Sequence, residues 1–170
     1  MSKKKKDSES IDRWIYDGID IEGRRIYVEG DIDTDNIGKQ VRAVMLLEKM
    51  DPEAPINVII NSNGGIIQDG MSLYDRLRRS TCQINTHATG ATESMAFILF
   101  LAGDVRTCEK HTLFMNHGGQ SMADGDLESV KMALKVMEIQ EDWCNQILVE
   151  KSNKPLKFWE KHAKHPFDIS

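Results

Sequence analysis

The sequence lacks the features that mark membrane, secreted and zinc proteins. Its three cysteines cannot all pair within one chain and have no metal-ligand spacing, so we expect reduced thiols and a cytoplasmic location. The longest apolar run, residues 95–102, is too short to cross a bilayer, and no apolar h-region follows the charged N-terminus. No two histidines have the i, i+4 spacing that binds zinc on a helix, and no GxxxxGK loop for nucleotide phosphates is present.

An excess of positive charge is also missing. The 22 Lys and Arg residues are outnumbered by 27 Asp and Glu residues, and the net charge of −5 disfavours a nucleic-acid partner. The one basic run, residues 3–6, is followed at once by acidic residues, so we expect residues 1–14 to form a disordered polar tail. With 40% hydrophobic and 29% charged residues, the rest of the chain suits a single globular domain, which we place at 15–170.

Strands and helices are predicted to alternate along that domain. Short runs of β-branched and apolar residues predict five strands, at 25–29, 56–60, 83–87, 106–108 and 113–115. Apolar residues at helical spacing predict four helices, at 36–50, 69–79, 94–102 and 127–148. This alternation is typical of an α/β fold with a largely parallel sheet and right-handed crossovers.

Polar residues and glycines are expected to delimit these elements. Asp35 or Asn36 is a candidate N-cap of the first helix, and Asp126 of the last one. Residues 61–65 are predicted to break the second strand. Gly103 is expected to end the third helix in the left-handed conformation.

The first segment suited to chemistry is Ser62-Asn63-Gly64-Gly65, between a buried strand and a helix. Paired glycines allow positive φ and bring backbone N–H groups close to a ligand. Such groups can stabilise the negative oxygen of a tetrahedral intermediate. A simple tight turn is the alternative interpretation.

A serine and a histidine complete the set of candidates. After a predicted turn at Gly90, Ser94 opens an apolar helix, where unpaired N–H groups favour a developing oxyanion. The alternative is that Ser94 or Thr92 merely caps this helix. His117 follows a predicted strand and opens a glycine-containing loop, a common position for an active-site histidine, although a structural histidine is the alternative.

In combination these segments resemble the proteolytic subunit of the Clp protease family (ClpP). Its members carry a strand ending in N-S-P-G-G, a G-x-A-x-S-M segment around the nucleophile, and a strand ending in M-x-H. The counterparts in this chain are residues 61–65, 90–95 and 115–117. Residues 70–75 and 25–30 are similar to two further family segments, so the resemblance runs from about residue 15 to residue 170.

The resemblance implies an α/β, ClpP/crotonase-like fold with stacked βαβ units and a protruding long helix. By the same resemblance Ser94 is the nucleophile, His117 is the general base, and the N–H groups of Gly65 and Met95 form the oxyanion hole. These roles are chemically consistent, because a serine hydroxyl needs a neighbouring imidazole to accept its proton.

The resemblance also implies how such a subunit works. It implies an ATP-independent serine endopeptidase that needs no metal and no organic cofactor and cleaves peptides or unfolded proteins. The subunit would be part of a homo-oligomer of heptameric rings enclosing a chamber, with a separate AAA+ unfoldase feeding in protein substrates. Neither a nucleic acid nor a membrane is implied as a partner.

The chain departs from the family pattern at the third member of the triad. Counting back from Ser170 places Pro166 where the family has an aspartate, so either Asp168 serves from a shifted segment or Ser94 and His117 act as a dyad. Asn63, Thr92, Glu93 and Gly119 are the other departures; a carboxylate at position 93 would disfavour a nearby oxyanion.

The sequence leaves two rival functions open. A catalytically silent chamber subunit is the first, motivated by the proline at 166 and the glutamate at 93. A crotonase-type acyl-CoA enzyme is the second, because its related fold also uses glycine-rich oxyanion loops. We also expect the chain, either truncated or naturally short, to lack the family's C-terminal end.

Overall fold

A mostly parallel sheet forms the first of two compact units in the computed structural model, which describes residues 16–120 and 123–164. We call Met1–Phe114 the sheet unit and Met115–Ser170 the helical unit. Six strands are present: β1 (Ile19–Asp20), β2 (Arg25–Ile32), β3 (Ile56–Gly65), β4 (Ile84–Glu93), β5 (Val105–Cys108) and β6 (Leu113–Met115). Three helices connect the parallel strands: α1 (Thr34–Met50), α2 (Ile67–Arg78) and α3 (Met95–Phe100).

The strand order confirms the predicted α/β class. The sheet runs β1-β2-β3-β4-β5, with β6 pairing with β4. The neighbours from β2 to β5 are parallel, and β1 is antiparallel to β2. Ile56, Val58 and Ile60 are fully buried while the residues between them are partly exposed, so one face of β3 forms the core. The carboxyl ends of β3 and β4 consequently meet at one edge of the sheet.

Three strands are at least three residues longer than the sequence predicted, and one of them is β2, which ends at Ile32 rather than at residue 29. β3 continues through residues 61–65, where a break was predicted, and β4 continues through Gly90, where a turn was predicted. Both predictions were wrong because the sheet accommodates the glycines by shifts in strand register rather than by turning the chain. The extra residues carry both strands up to Ser94.

Capping and close packing decide where the helices begin and end. The N-cap of α1 is Asp33, rather than the predicted Asp35 or Asn36, and its Oδ1 accepts the Asn36 N–H at 2.9 Å. The predicted left-handed cap at Gly103 is also wrong, since its φ is not positive. Glycine is needed there because a β-carbon would lie 2.2 Å from Thr86 Oγ1.

The helical unit contains α4 (Leu127–Lys151) and α5 (Leu156–Ala163), of which the sequence predicted only α4. Asp126 caps α4 as predicted: its carboxylate accepts the Ser129 N–H at 2.8 Å, and this bond holds the pKa of Asp126 below its usual range. Leu148 is the one buried residue of α4. No helix within residues 16–120 and 123–164 has the length and apolar character needed to cross a membrane.

One arginine holds the end of α1 against the start of β2. The Arg24 guanidinium donates hydrogen bonds of 2.9–3.0 Å to four backbone carbonyls, those of Leu47, Asp51, Ala54 and Pro55. The Leu47 carbonyl also accepts the Asp51 N–H at 3.1 Å, whereas the other three carbonyls belong to the segment that follows the helix, so the side chain ties that segment to the start of β2. To reach them, Arg24 adopts a φ of 51°, which is strained for a residue with a β-carbon.

We predict that Arg24→Ala lowers the free energy of unfolding by about 2–3 kcal/mol, because hydrogen bonds to a charged group are lost. Arg24→Lys should not restore stability, since an ammonium group does not reproduce the planar fork. Arg25→Ala is the control: it removes one exposed ion pair with Asp20, measured at 3.7 Å, and should cost less than about 1 kcal/mol. Urea denaturation measures all three variants, and equal losses for the two alanine variants would contradict the prediction.

Candidate active site

Ser94 lies at a sharp turn between a strand and a helix. It follows the last residue of β4 and precedes the first residue of α3. Its backbone has φ 53° and ψ −124°, a conformation that costs a residue with a β-carbon about 1–3 kcal/mol. The Ser94 side chain makes no capping hydrogen bond to α3, so the capping interpretation fails. A strained strand–turn–helix elbow of this kind can present a serine hydroxyl at the edge of a sheet.

Gly64 packs directly against this elbow. It has a φ of +100°, and a β-carbon built on it would lie 2.7 Å from Ser94 Cβ. The same β-carbon would lie 2.9 Å from the Glu93 carbonyl oxygen and 3.0 Å from the Met95 nitrogen. Only glycine therefore allows the end of β3 to approach the backbone around Ser94 this closely.

Gly65 approaches the other neighbouring strand. A β-carbon on Gly65 would lie 2.3 Å from the carbonyl oxygen of Ile32 and 2.8 Å from its nitrogen. The two glycines thus close-pack in opposite directions, Gly65 against β2 and Gly64 against the serine elbow. The sequence predicted Gly65 as a donor to the oxyanion hole. It did not single out Gly64, the glycine that packs against Ser94. The Gly-Gly pair signalled a close approach but could not tell which glycine faced which strand.

Met95 anchors the elbow in the core. Its side chain is 2% exposed and packs on α2, where a β-carbon on Gly70 would lie 2.3 Å from Met95 Cγ. Burial of this side chain leaves the Met95 N–H beside the Gly64 backbone. The helix that Met95 begins ends at Phe100, earlier than the predicted residue 102, so local N–H groups matter more here than a helix dipole.

The residue two positions before Ser94 adds a further cost. Thr92 is fully buried, and its hydroxyl has no hydrogen-bond partner. An unpaired buried hydroxyl costs about 1–3 kcal/mol. Strain at Ser94 and an unpaired group at Thr92 therefore occur together in one turn. Local costs of this kind concentrate at functional sites, where geometry is favoured over stability.

His117 lies in the helical unit, two residues beyond β6, and is half-buried. Its Nδ1 is 2.6 Å from the carbonyl oxygen of Gly118. A carbonyl oxygen only accepts hydrogen bonds, so Nδ1 must carry the proton in this contact. In the neutral ring Nε2 then holds a lone pair, which is the tautomer required of a general base.

The predicted site residues thus fall into three groups. Ser94, Met95 and Gly65 lie at the edge of the sheet unit, together with the unpredicted Gly64. His117 belongs to the helical unit. Asp168 and Pro166, between which the sequence left the identity of the acid open, lie outside the described residues.

Two of the three cysteines, Cys82 and Cys144, have surroundings that disfavour a role as nucleophile, whereas Cys108 is exposed. All three are free, as expected for reduced thiols. Burial, and then the negative charge of Glu141, raises the pKa of the Cys144 thiol to about 11, so it stays protonated at neutral pH. Cys82 is 3% exposed and therefore shielded from substrates. Among residues 16–120 and 123–164, no cluster of three or more His, Cys, Asp or Glu side chains could hold a metal ion.

We predict that Gly64→Ala lowers the free energy of unfolding by about 3 kcal/mol, from left-handed strain and from overlap with Ser94. Gly18→Ala is the control, because Gly18 also has a positive φ (+63°) but lies against Tyr27, where a β-carbon would meet its nearest atom at 3.2 Å. In this control the free energy of unfolding should fall by about 1 kcal/mol. Chemical denaturation of both variants tests the comparison, and similar losses would show that the close approach to Ser94 carries no cost.

Comparison with known proteins places the fold and this elbow in a family. The family profile described as Clp protease matches residues 12–166. The protein named ATP-dependent Clp protease proteolytic subunit 1, from Gloeobacter violaceus, is 28% identical to this chain over 149 residues, which cover 86% of the chain and 76% of that relative. The resemblance predicted from the sequence is thereby confirmed, as is the ClpP/crotonase-like α/β fold that it implied. The chain belongs to the Clp protease family.

Proposed function

We propose that this chain is a serine endopeptidase subunit that hydrolyses peptide bonds through an acyl-Ser94 intermediate. The observation that carries the proposal is the strained Ser94 elbow, whose hydroxyl does not cap α3 and whose backbone is packed against Gly64. In a Clp protease family member, a serine presented this way is suited to attack a carbonyl.

The first half of the reaction acylates the serine. The Ser94 oxygen attacks the carbonyl carbon of the substrate while Nε2 of His117 accepts the hydroxyl proton. The tetrahedral intermediate carries its negative charge on the former carbonyl oxygen. Its collapse breaks the C–N bond, and the imidazolium returns the proton to the leaving amine. An ester between the substrate acyl group and Ser94 remains.

The second half releases the acyl group. His117 now accepts a proton from water, and the resulting hydroxide attacks the ester carbonyl. When this second tetrahedral intermediate collapses, the C–O bond to Ser94 breaks and His117 returns its proton to the serine oxygen. The products are a carboxylic acid and the free enzyme.

The N–H groups of Met95 and Gly65 are the proposed oxyanion hole. Met95 is suited to this role because its buried side chain fixes the peptide that follows Ser94. The Gly64 N–H is already donated to the Ser62 hydroxyl at 3.0 Å, which favours Gly65 as the second donor.

The orientation of His117 bears on whether an acid completes the site. In a serine triad the aspartate accepts the Nδ1 proton and fixes the tautomer of the base. The Gly118 carbonyl already accepts that proton, at 2.6 Å. This contact supports a Ser94–His117 dyad over a triad completed by Asp168.

The exposed apolar side chains of α4 support an oligomer. Its exposed apolar side chains are Leu127, Met132, Leu134, Val136, Ile139, Trp143 and Val149. Apolar surface of this extent on a single helix is typical of a protein–protein interface. We propose that this helix joins copies of the chain in two stacked heptameric rings, and that a separate AAA+ unfoldase feeds unfolded proteins into the chamber.

We predict that a fluorophosphonate probe labels the wild-type chain at Ser94, and that Ser94→Ala abolishes both labelling and peptide cleavage while assembly is preserved. Ser72→Ala is the control, because Ser72 is an exposed serine on α2 and its loss should leave labelling unchanged. Mass spectrometry of the labelled peptide identifies the site, and cleavage retained by Ser94→Ala would discard the assignment.

We predict that Asp168→Asn lowers kcat by roughly tenfold at most, whereas loss of an orienting triad acid costs about 10⁴-fold. The reason is that the Gly118 carbonyl still holds the His117 tautomer. Steady-state peptide hydrolysis measures the effect, with His117→Ala as the reference for loss of the base. A fall in kcat of about 10⁴-fold would instead establish Asp168 as the triad acid.

A silent chamber subunit is the second candidate function. Pro166 at the position of the family's aspartate favours it, as does a carboxylate at Glu93 directly before the nucleophile. Absence of both labelling and cleavage in an assembled wild-type protein would support this function instead.

A further inference from the structure

Two polar side chains of β3 bond to the backbones of the strands on either side of it. Both belong to the segment Asn61–Gly65, and each acts where the register of the sheet shifts. These side chains, Asn61 and Ser62, have no role in the chemistry proposed above.

Asn61 supports the shift between β3 and β4. Ile60 pairs with Ala88 and Ser62 pairs with Thr92, so three residues of β4 lie opposite Asn61 alone. Its Oδ1 accepts the Ala91 N–H at 3.0 Å. The side chain thereby supplies an acceptor within the bulged segment, three residues before Ser94.

The glycine within that bulge leaves room for the Asn61 carboxamide. Gly90 has a φ of +51°, and a β-carbon there would lie 2.5 Å from Asn61 Oδ1. The Asn61 carboxamide therefore packs closely against Gly90 within the bulge. It sets the path along which β4 reaches the Ser94 elbow.

Ser62 performs the corresponding task toward β2. Its buried hydroxyl donates to the Gly30 carbonyl at 2.6 Å and accepts the Gly64 N–H at 3.0 Å. Gly30 lies alone opposite Ser62 and Asn63 at this second register shift. One hydroxyl thus fixes both the β2 backbone and the Gly64 peptide, whose Cα packs against the elbow.

We infer that Asn61 and Ser62 are positioning residues that set the geometry of the Ser94 nucleophile from two sides. Asn61 fixes the strand that leads into the elbow, and Ser62 fixes the glycine that packs against it. The catalytic part of this inference rests on the proposed peptidase function. The structural part concerns the order of the Gly64 and 90–94 backbone and stands without it.

Ser62→Ala tests the hydrogen bonds of the Ser62 hydroxyl, with Thr86→Val as a matched control. Both residues are buried hydroxyls in the same sheet that donate to a carbonyl, and Thr86 donates to Phe100 at 2.8 Å. We expect Ser62→Ala to lower kcat by about 10²-fold with little change in KM, because small misplacements of reacting groups cost that much. Thr86→Val should lose comparable stability but keep kcat within a few-fold. Ser62→Thr, which retains the hydroxyl, should recover most of the activity.

Asn61→Ala tests the hydrogen bond between the Asn61 carboxamide and the Ala91 N–H, with Asn85→Ala as its control. Asn85 also bonds across β3 and β4, donating from Nδ2 to Asn57 Oδ1 at 3.0 Å, but away from the bulge. We expect kcat to fall by about tenfold or more in Asn61→Ala and to stay near wild type in Asn85→Ala. Asn61→Asp keeps an acceptor for the Ala91 N–H, so its kcat should lie between those of Asn61→Ala and Asn85→Ala.

Amide hydrogen exchange provides a readout that needs no catalysis. Exchange of the Gly64 N–H should accelerate in Ser62→Ala, and exchange of Ala91 in Asn61→Ala, without a change at control amides of α1. Unchanged exchange in both variants overturns the inference, as does an equal fall of kcat in the controls. If the wild-type chain neither cleaves peptides nor takes the probe, the peptidase proposal fails, and exchange alone decides whether these residues order the elbow.

Discussion

The parallel pairing of β3 with β4 is the constraint on which the site depends. It brings the ends of two consecutive strands to one edge of the sheet, so that Gly64 and Ser94 meet although thirty positions separate them in the sequence. The contact is possible only because Gly64 has no side chain. The serine elbow, the buried Met95 side chain and the placement of the Met95 amide all follow from this approach.

Stability is lost at this edge at two neighbouring residues. Ser94 has an unfavourable backbone conformation, and the buried Thr92 hydroxyl is unpaired. The neighbouring polar groups are, in contrast, satisfied: Ser62 makes two hydrogen bonds and Asn61 accepts one. A strained conformation persists only when its surroundings over-determine it. These hydrogen bonds hold the flanking backbone, so the strain remains at Ser94.

Most of the fold could be predicted from the sequence because periodicity follows burial. The β-branched run at 56–60 and the apolar residues at helical spacing in α1 and α2 predict the class directly, whereas the apolar stripe of α4 marks a helix of which only Leu148 is buried. The register shifts could not be predicted, since glycine and asparagine signal a turn as readily as a bulge. The site was predicted through motif resemblance, yet the partner of Ser94 within the Gly-Gly pair depends on which strand each glycine approaches. Periodicity along one strand contains no such information.

In the proposed dyad, a carbonyl in place of a carboxylate would change which interactions stabilise the transition state. The Gly118 oxygen can fix the His117 tautomer as a carboxylate would, but it has no full charge with which to stabilise the imidazolium. Hydrogen bonds to an ionised partner are roughly twice as strong as neutral ones. In the proposed Ser94–His117 dyad the partner of His117 is weaker than a carboxylate, so more of the stabilisation of the transition state would come from the amides around Ser94. The precision of the Gly64 approach then matters more than it would in a triad, because an amide displaced from the oxyanion has no charged partner elsewhere to compensate for it.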